Sequence, residues 1–391
     1  MTRSRKLSTT LLFLAATTFA GVALASPPDI PPGLEKKNPP GVPPGQAAQS
    51  IQIDMMGGRP FGGTTIPMPT DPGNFQGCDH GFVDWFIPPG KRKHPMILVH
   101  GSSVKGYQTT FDGQPGFQTI FLEDHYPVYL VDLPWTGRAG KACSTYTWNP
   151  VNNGFSARFV FQNRVGLWPS GTPASSMQFF PGVAFSHDPK VLDIYFRNQY
   201  VENNAAANVT VESAALAVLI DEVYQENGRG GILHTHSSSA NRGLTAARLS
   251  DKLGGEIYWE PSAAPVFPEG ELPPPILRAD GVQVPAGTTI ALTEFLKYTK
   301  FPILILWGDN IPKTLDPINV GDRLVLDSRR VLTVQWQSFA EAVNNHGGNA
   351  VVIHLPDVGV FGNTHYAMSD TNITQVSAVV STWLKNQGLD K

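Results

Sequence analysis

The sequence predicts an α/β protein on a mostly parallel, doubly wound sheet of about eight strands, with helices on both faces and an inserted cap. Two observations predict this. Short β-rich runs at residues 50–55, 81–87, 95–99, 127–131, 231–234, 256–259, 302–306 and 350–355 are punctuated by helical stretches. The last six of these runs are almost unbroken Val, Ile, Leu and aromatic sequence, as strands covered on both faces require.

Helical periodicity falls between the runs, at 211–225, 241–253, 332–344 and 373–386. In the last stretch Val376, Val379, Val380, Trp383 and Leu384 share one face. Residues 145–200 break the alternation: they are dense in aromatics, including Trp148, Phe161, Trp168, Phe179 and Phe185, with no clean period. They read as a cap inserted into a core formed by 49–144 and 201–391, either packing a small core of their own or lining a pocket mouth.

The N-terminus has a basic start with Arg3, Arg5 and Lys6, an apolar run from Leu7, and Ala23 and Ala25 at the A-x-A spacing. This is a secretory signal pattern, with cleavage expected after Ala25 and residues 1–25 removed. Ser26 rather than Cys follows, which argues against a lipid anchor. Residues 26–48 are Pro-rich and lack an apolar face, so they read as a tether. No later apolar stretch approaches spanning length, so membrane insertion is not expected. The formal charge of −3 includes the three cationic residues that leave with the signal, so the mature chain is near −6. That balance argues against nucleic acid or an anionic membrane as partner. The chain has two cysteines, and in an oxidising compartment Cys78 and Cys143 are expected to form a structural bridge, two free thiols being the alternative.

The sharpest chemical feature is Gly230-Gly-Ile-Leu-His-Thr-His-Ser-Ser-Ser-Ala-Asn-Arg-Gly243, an apolar strand running through a serine cluster into a helix. A nucleophile elbow needs that context, because the serine sits on a tight turn with its hydroxyl at the strand end. Positions two before and two after it must be small, which favours Ser237, flanked by Thr235 and Ser239, over Ser238, which would crowd His236. A serine-rich helix cap is the competing reading, since both glycines of G-x-S-x-G are absent.

Upstream, the strand ending in His100-Gly101 offers the amide of Ser102, which with that of Ser238 is the expected pair for a developing oxyanion. Downstream, Asn363-Thr-His365 lies between the last strand and the last helix, where a base can reach the same sheet edge; no other histidine has that placement. Two carboxylates compete to orient it, Glu260 after the strand at 256–259 and Asp309 after that at 302–306. The commoner layout puts the acid a few residues beyond the next-to-last strand, where this chain has Ile311 and Pro312, so Glu260 is preferred and Asp309 is the alternative. His100, His234 and His236 cluster near the elbow but lack a metal-ligand spacing, and neither metal nor cofactor is expected.

On these residues the chain resembles the α/β-hydrolase superfamily, and within it the exported bacterial esterases that use Ser, His and Glu. The resemblance covers nearly all of the chain after about residue 50. It implies the α/β-hydrolase fold, Ser237 as nucleophile, His365 as base, Glu260 as acid and a small-molecule or polymeric ester as substrate. The departure is Thr and Ser where glycines usually flank the elbow. A serine amidase or peptidase, and a non-catalytic ligand-binding member of the fold, are the rivals, and oligomeric state is not readable.

Overall fold

Strands that must be covered on both faces are expected to sort their side chains alternately, and the central sheet does this residue by residue. The computed structural model describes residues 51–68, 70–91, 93–101, 104–139, 156–199 and 206–391. Its main sheet has eight strands: β1 Met55–Phe61, β2 Gly81–Ile87, β3 Met96–Val99, β4 Val128–Asp132, β5 Gly231–His236, β6 Leu253–Trp259, β7 Pro302–Trp307 and β8 Asn349–His354. Their order is β1-β2-β4-β3-β5-β6-β7-β8. The β1–β2 and β2–β4 pairs are antiparallel and every later pair is parallel.

Leu98, Leu130, Ile232, Ile257, Leu304 and Leu306 face one side, where they pack with α1 (Phe117–Glu123) and with Val376, Val380, Trp383 and Leu384 of the last helix. Ile97, Val99, Tyr129, Val131 and Leu233 face the other, against helix Ala206–Asn227. Tyr258, Ile303, Ile305 and Trp307 continue that second face under helices Ala240–Leu249 and Leu324–Asn345. Each fully buried Leu or Ile of this kind contributes about 1.5–3 kcal/mol.

In chain order the remaining longer helices are α2 Ala157–Phe161, α3 Pro189–Arg197, α4 Ala206–Asn227, α5 Ala240–Leu249, α6 Leu324–Asn345 and α7 Ile373–Asn386. The last coincides with the stretch its periodicity marked out. α2 and α3 begin at side-chain caps, Ser156 accepting from the Phe159 amide at 3.1 Å and Asp188 from the Lys190 amide at 2.9 Å, with Pro189 at the first position of α3.

Two elements depart from expectation. The first strand was expected at 50–55 and runs instead over Met55–Phe61. Its sequence, MMGGRPF, is poor in strand formers, but as an edge strand it needs only one ladder, with Met55 opposite Ile87 and Phe61 opposite Gly81. The helix expected at 332–344 starts a further two turns earlier, at Leu324. Its first turns hold Asp327, Arg329 and Arg330, which hide the apolar period, yet all three are buried: Arg330 Nε donates to Asp327 Oδ1 at 2.6 Å.

The segment at 145–200 is described from residue 156 to 199 and does not pack as a separate unit. Val160, Phe161, Phe185 and Tyr195 join the same buried cluster as Tyr107, Phe111 and Tyr366 of the core. Tyr195 lies edge-on to Phe111 at 4.8 Å, and its hydroxyl donates to the Val160 carbonyl at 2.8 Å. The expected signal and tether at 1–48, Ser102 and Cys143 lie outside the described residues; Cys78, the other half of the expected bridge, is buried. Among the described residues no helix is long and apolar enough to cross a membrane.

Candidate active site

In an open parallel sheet, side chains meet in the crevice outside the strands' C-terminal ends, where the strand order reverses. Here β5 sits beside β3 at that reversal, and it ends at His236. Ser237 follows in a left-handed conformation, φ 57°, and α5 begins at Ala240. A non-glycine residue held at positive φ is strained, and such strain concentrates where surrounding structure over-determines a functional side chain.

The three adjacent serines separate by what they touch. Ser239 is buried and caps the turn, accepting from the His236 amide and donating to the His236 carbonyl, both at 2.8 Å. The Ser238 carbonyl accepts from Arg242 Nη1 at 3.1 Å. Ser237 points across the sheet edge, with its Oγ 2.9 Å from His365 Nε2. The capping reading of the serine cluster thus belongs to Ser239, two residues beyond the candidate nucleophile. Thr235 stands where the first elbow glycine would and is buried on β5; what must stay small is Gly243, where a Cβ would stand 2.5 Å from Glu256 Oε1 and 2.8 Å from Thr235 Cγ2.

His365 is held from both ends. Its amide donates to the Asn163 carbonyl at 3.1 Å and its own carbonyl accepts from His236 Nε2 at 2.8 Å. The loop carrying it is pinned by buried Asp370, which accepts from the Thr364 amide at 2.7 Å, Thr364 Oγ1 at 2.8 Å and Asn363 Nδ2 at 3.1 Å. His365 Nδ1 faces Glu260 Oε2 at 3.3 Å. Glu260, at φ 47°, is buried at the end of β6, where Oε1 accepts from the Gly308 amide and pairs with the equally buried guanidinium of Arg164. Gly308 is required by this crowding, since a Cβ there would stand 2.7 Å from the Thr364 carbonyl and 3.0 Å from Glu260 Oε1.

Asp309, the alternative acid, does different work. Its Oδ1 accepts from the Asn310 amide at 2.6 Å, its Oδ2 accepts from the Gly362 amide at 2.8 Å, and its amide donates to the Asn363 carbonyl at 2.8 Å. It ties the loop after β7 to the loop that bears His365, as a turn carboxylate does. His234 and His236 are likewise spoken for. Trp259 Nε1 donates to His234 Nδ1 at 3.2 Å, His236 donates to the His365 carbonyl, and burial pushes both imidazoles down to about 3. The His236 ring lies between those of His100, at 4.3 Å, and His365, at 4.6 Å.

An ordinary histidine would gain its proton near pH 6.5, which places the expected activity rise at roughly pH 6 to 7. The structure moves it lower. Burial first, and then the charges of Arg329 and Arg164 with the neighbouring His236 and His100, hold His365 well below the ordinary value of 6.5. A base with a depressed pKa is already neutral at that pH, so kcat/KM for an ester is expected to be level through neutrality and to fall only below pH 6.5. A pH profile with its acidic midpoint at or above that value would contradict this.

A solved structure of a bacterial esterase superposes with a TM-score of 0.65 over 88% of this chain and 99% of its own, at 19% identity. The chain has the α/β-hydrolase fold. A protein named probable secreted lipase phiG, from a fungal species, is 24% identical over 336 residues, 78% of this chain and 86% of its own. No family model matches the chain.

Four residues of this candidate site escaped the sequence reading. Asn163 and Arg164 come from the inserted segment, Ser262 lies two residues after Glu260, and Arg329 stands on α6. Ser262 Oγ is 2.9 Å from Ser237 Oγ, and its amide donates to the Ser237 carbonyl at 3.0 Å. Arg329 donates through Nη1 to Ser262 Oγ at 2.7 Å and through Nη2 to Asn163 Oδ1 at 2.9 Å. No motif signals any of them; the one available hint is the polar start of a helix whose later turns are apolar.

Proposed function

We propose that the protein is an exported serine hydrolase of carboxylic esters, with Ser237 as nucleophile, His365 as general base and Glu260 as the acid that orients it. The observation that supports this reading most is the unbroken run of contacts from Ser237 Oγ to His365 Nε2 at 2.9 Å and from His365 Nδ1 to Glu260 Oε2 at 3.3 Å. With Glu260 accepting at Nδ1, the neutral imidazole carries its proton there and leaves Nε2 as a lone pair facing the serine.

His365 Nε2 takes the Ser237 proton as Oγ attacks the ester carbonyl. The carbonyl oxygen becomes an oxyanion received by the amides of Ser238 and Ser102. The imidazolium returns its proton to the leaving alkoxide, giving an alcohol and an acyl-Ser237. Water attacks that ester with His365 again as base, and release of the carboxylic acid restores the hydroxyl. Export follows from the signal pattern at 1–25, and a Cys78–Cys143 bridge would form on that route.

Hydrolysis of p-nitrophenyl esters of increasing acyl length, beside the matched anilides, tests the function. Ester turnover that exceeds anilide turnover is expected. Anilides cleaved as readily as esters would make the protein an amidase of the same mechanism, and no hydrolysis of either would favour a non-catalytic binder.

A further inference from the structure

The triad accounts for one hydrogen bond to Ser237 Oγ, and the structure holds a second. Ser262 Oγ lies 2.9 Å from it, as close as the imidazole does. Arg329 can only donate, and its Nη1 reaches Ser262 Oγ at 2.7 Å, so one lone pair of that oxygen is taken and its proton is directed elsewhere. Among the described residues the acceptor within reach of that proton is Ser237 Oγ. Ser237 in turn gives its own proton toward His365, and His365 toward Glu260. Every hydrogen bond then runs one way, from a buried cation to a buried carboxylate, with the nucleophile between them.

The cation is unusual in its surroundings. Arg329 is 7% exposed and forms no salt bridge among the described residues, although Arg164 beside it pairs with Glu260. A buried guanidinium without a carboxylate is costly to keep, and its hydrogen bonds to Ser262 Oγ and Asn163 Oδ1 offset only part of that cost. Burial and the nearby Arg164 push it down to about 10, so it stays charged at neutral pH.

We propose that Ser262 is a further catalytic residue, donating its hydrogen bond to Ser237 Oγ while that oxygen carries negative charge, and that Arg329 is the positioning residue that aims and polarises it. Ser262 keeps its proton throughout; the Ser237 proton still travels to His365. The bond strengthens as Oγ loses its proton, weakens once Oγ is an ester oxygen, and strengthens again when Oγ leaves the second tetrahedral intermediate. Both acylation and deacylation therefore use it. The inference rests on Ser237 being the nucleophile.

The test measures the rate at which an organophosphonate labels Ser237, which reports nucleophilicity without ester turnover, beside kcat/KM against pH for a p-nitrophenyl ester. Ser262→Ala is expected to slow both by roughly 10- to 100-fold, the size of a hydrogen bond to a charged group, and Ser262→Thr, which restores a hydroxyl, to recover most of the loss. Arg329→Met is expected to slow labelling and to move the acidic limb to higher pH. Removing that cation relieves the imidazole, which still faces Glu260 from β6, Arg164 from the inserted segment, His236 from β5 and His100 after β3. The limb reports the cation's charge at His365; that Arg329 acts through Ser262 is read from labelling, which Arg329→Met should slow little further once Ser262 is alanine, whereas a merely structural role would slow it equally in both backgrounds. Arg329→Lys, measured alongside in case the methionine variant does not fold, should leave the limb in place. Labelling of Ser262→Ala within twofold of the wild-type rate would overturn the inference while leaving the triad standing. A wild-type protein that does not label at all would overturn the triad reading beneath it.

Discussion

Ser237→Ala is expected to lower ester turnover by about three orders of magnitude or more while leaving thermal unfolding close to wild type. Both halves follow from the site. The hydroxyl makes the 2.9 Å contact to His365 Nε2 from which the proposed chemistry starts, and the nearby hydroxyls of Ser239 and Ser262 are otherwise engaged: Ser239 is committed to capping, and Ser262 approaches Ser237 while its oxygen already accepts from Arg329. Removing Oγ leaves no buried charge unpaired, and alanine at a left-handed position is strained little more than serine. Steady-state kinetics and a melting curve on the same preparation read both effects; retention of more than a few per cent of activity would remove Ser237 from the mechanism.

Glu260→Gln has the second large effect, and it differs in kind because stability falls with activity. An amide can offer His365 Nδ1 a donor instead of an acceptor, which favours the wrong tautomer and turns the Nε2 proton toward Ser237; about four orders of magnitude is the loss such an exchange has produced at an acid of this role. The same change leaves the fully buried Arg164 without its carboxylate. Breaking a buried ion pair from one side costs roughly 3–5 kcal/mol, so a clear drop in Tm is expected beside the loss of turnover. Asp309→Asn provides the contrast: the Gly362 amide loses its charged acceptor, while the Ser237–His365–Glu260 contacts are untouched, so its effect on turnover should be far smaller. A larger loss from Asp309→Asn than from Glu260→Gln would exchange their roles.

How much of this could be read in advance depends on whether a residue's partner is set by local pattern or by long-range approach. β3 through β7 are largely buried on both faces, and β8, the far edge strand, is only half-buried but still apolar over 350–353, so their composition announces them, and the elbow, the loop of His365 and the candidate acid after β6 follow from where those strands must end. β1 is an edge strand with two glycines and a proline, paired on one side only, and pattern places it several residues too early. Arg164 and Arg329 were not legible because nothing near them in the chain needs a cation. Arg164 answers Glu260 from nearly a hundred residues away, and Arg329 meets Ser262 through the polar start of a helix whose later turns carry the apolar period. The missing elbow glycines are explained by the turn itself, where Thr235 fits beneath a helix that comes closest at Gly243.

In the proposed mechanism the reactive oxygen of this chain is that of Ser237, activated by His365. The most direct measurement is peptide mapping by mass spectrometry after treatment with an organophosphonate, at a pH above and a pH well below 6.5. A single adduct on Ser237, formed readily at the higher pH and slowly at the lower, is the predicted result; an adduct on Ser238 or Ser239, or a fully active protein that takes no adduct on Ser237, would contradict it.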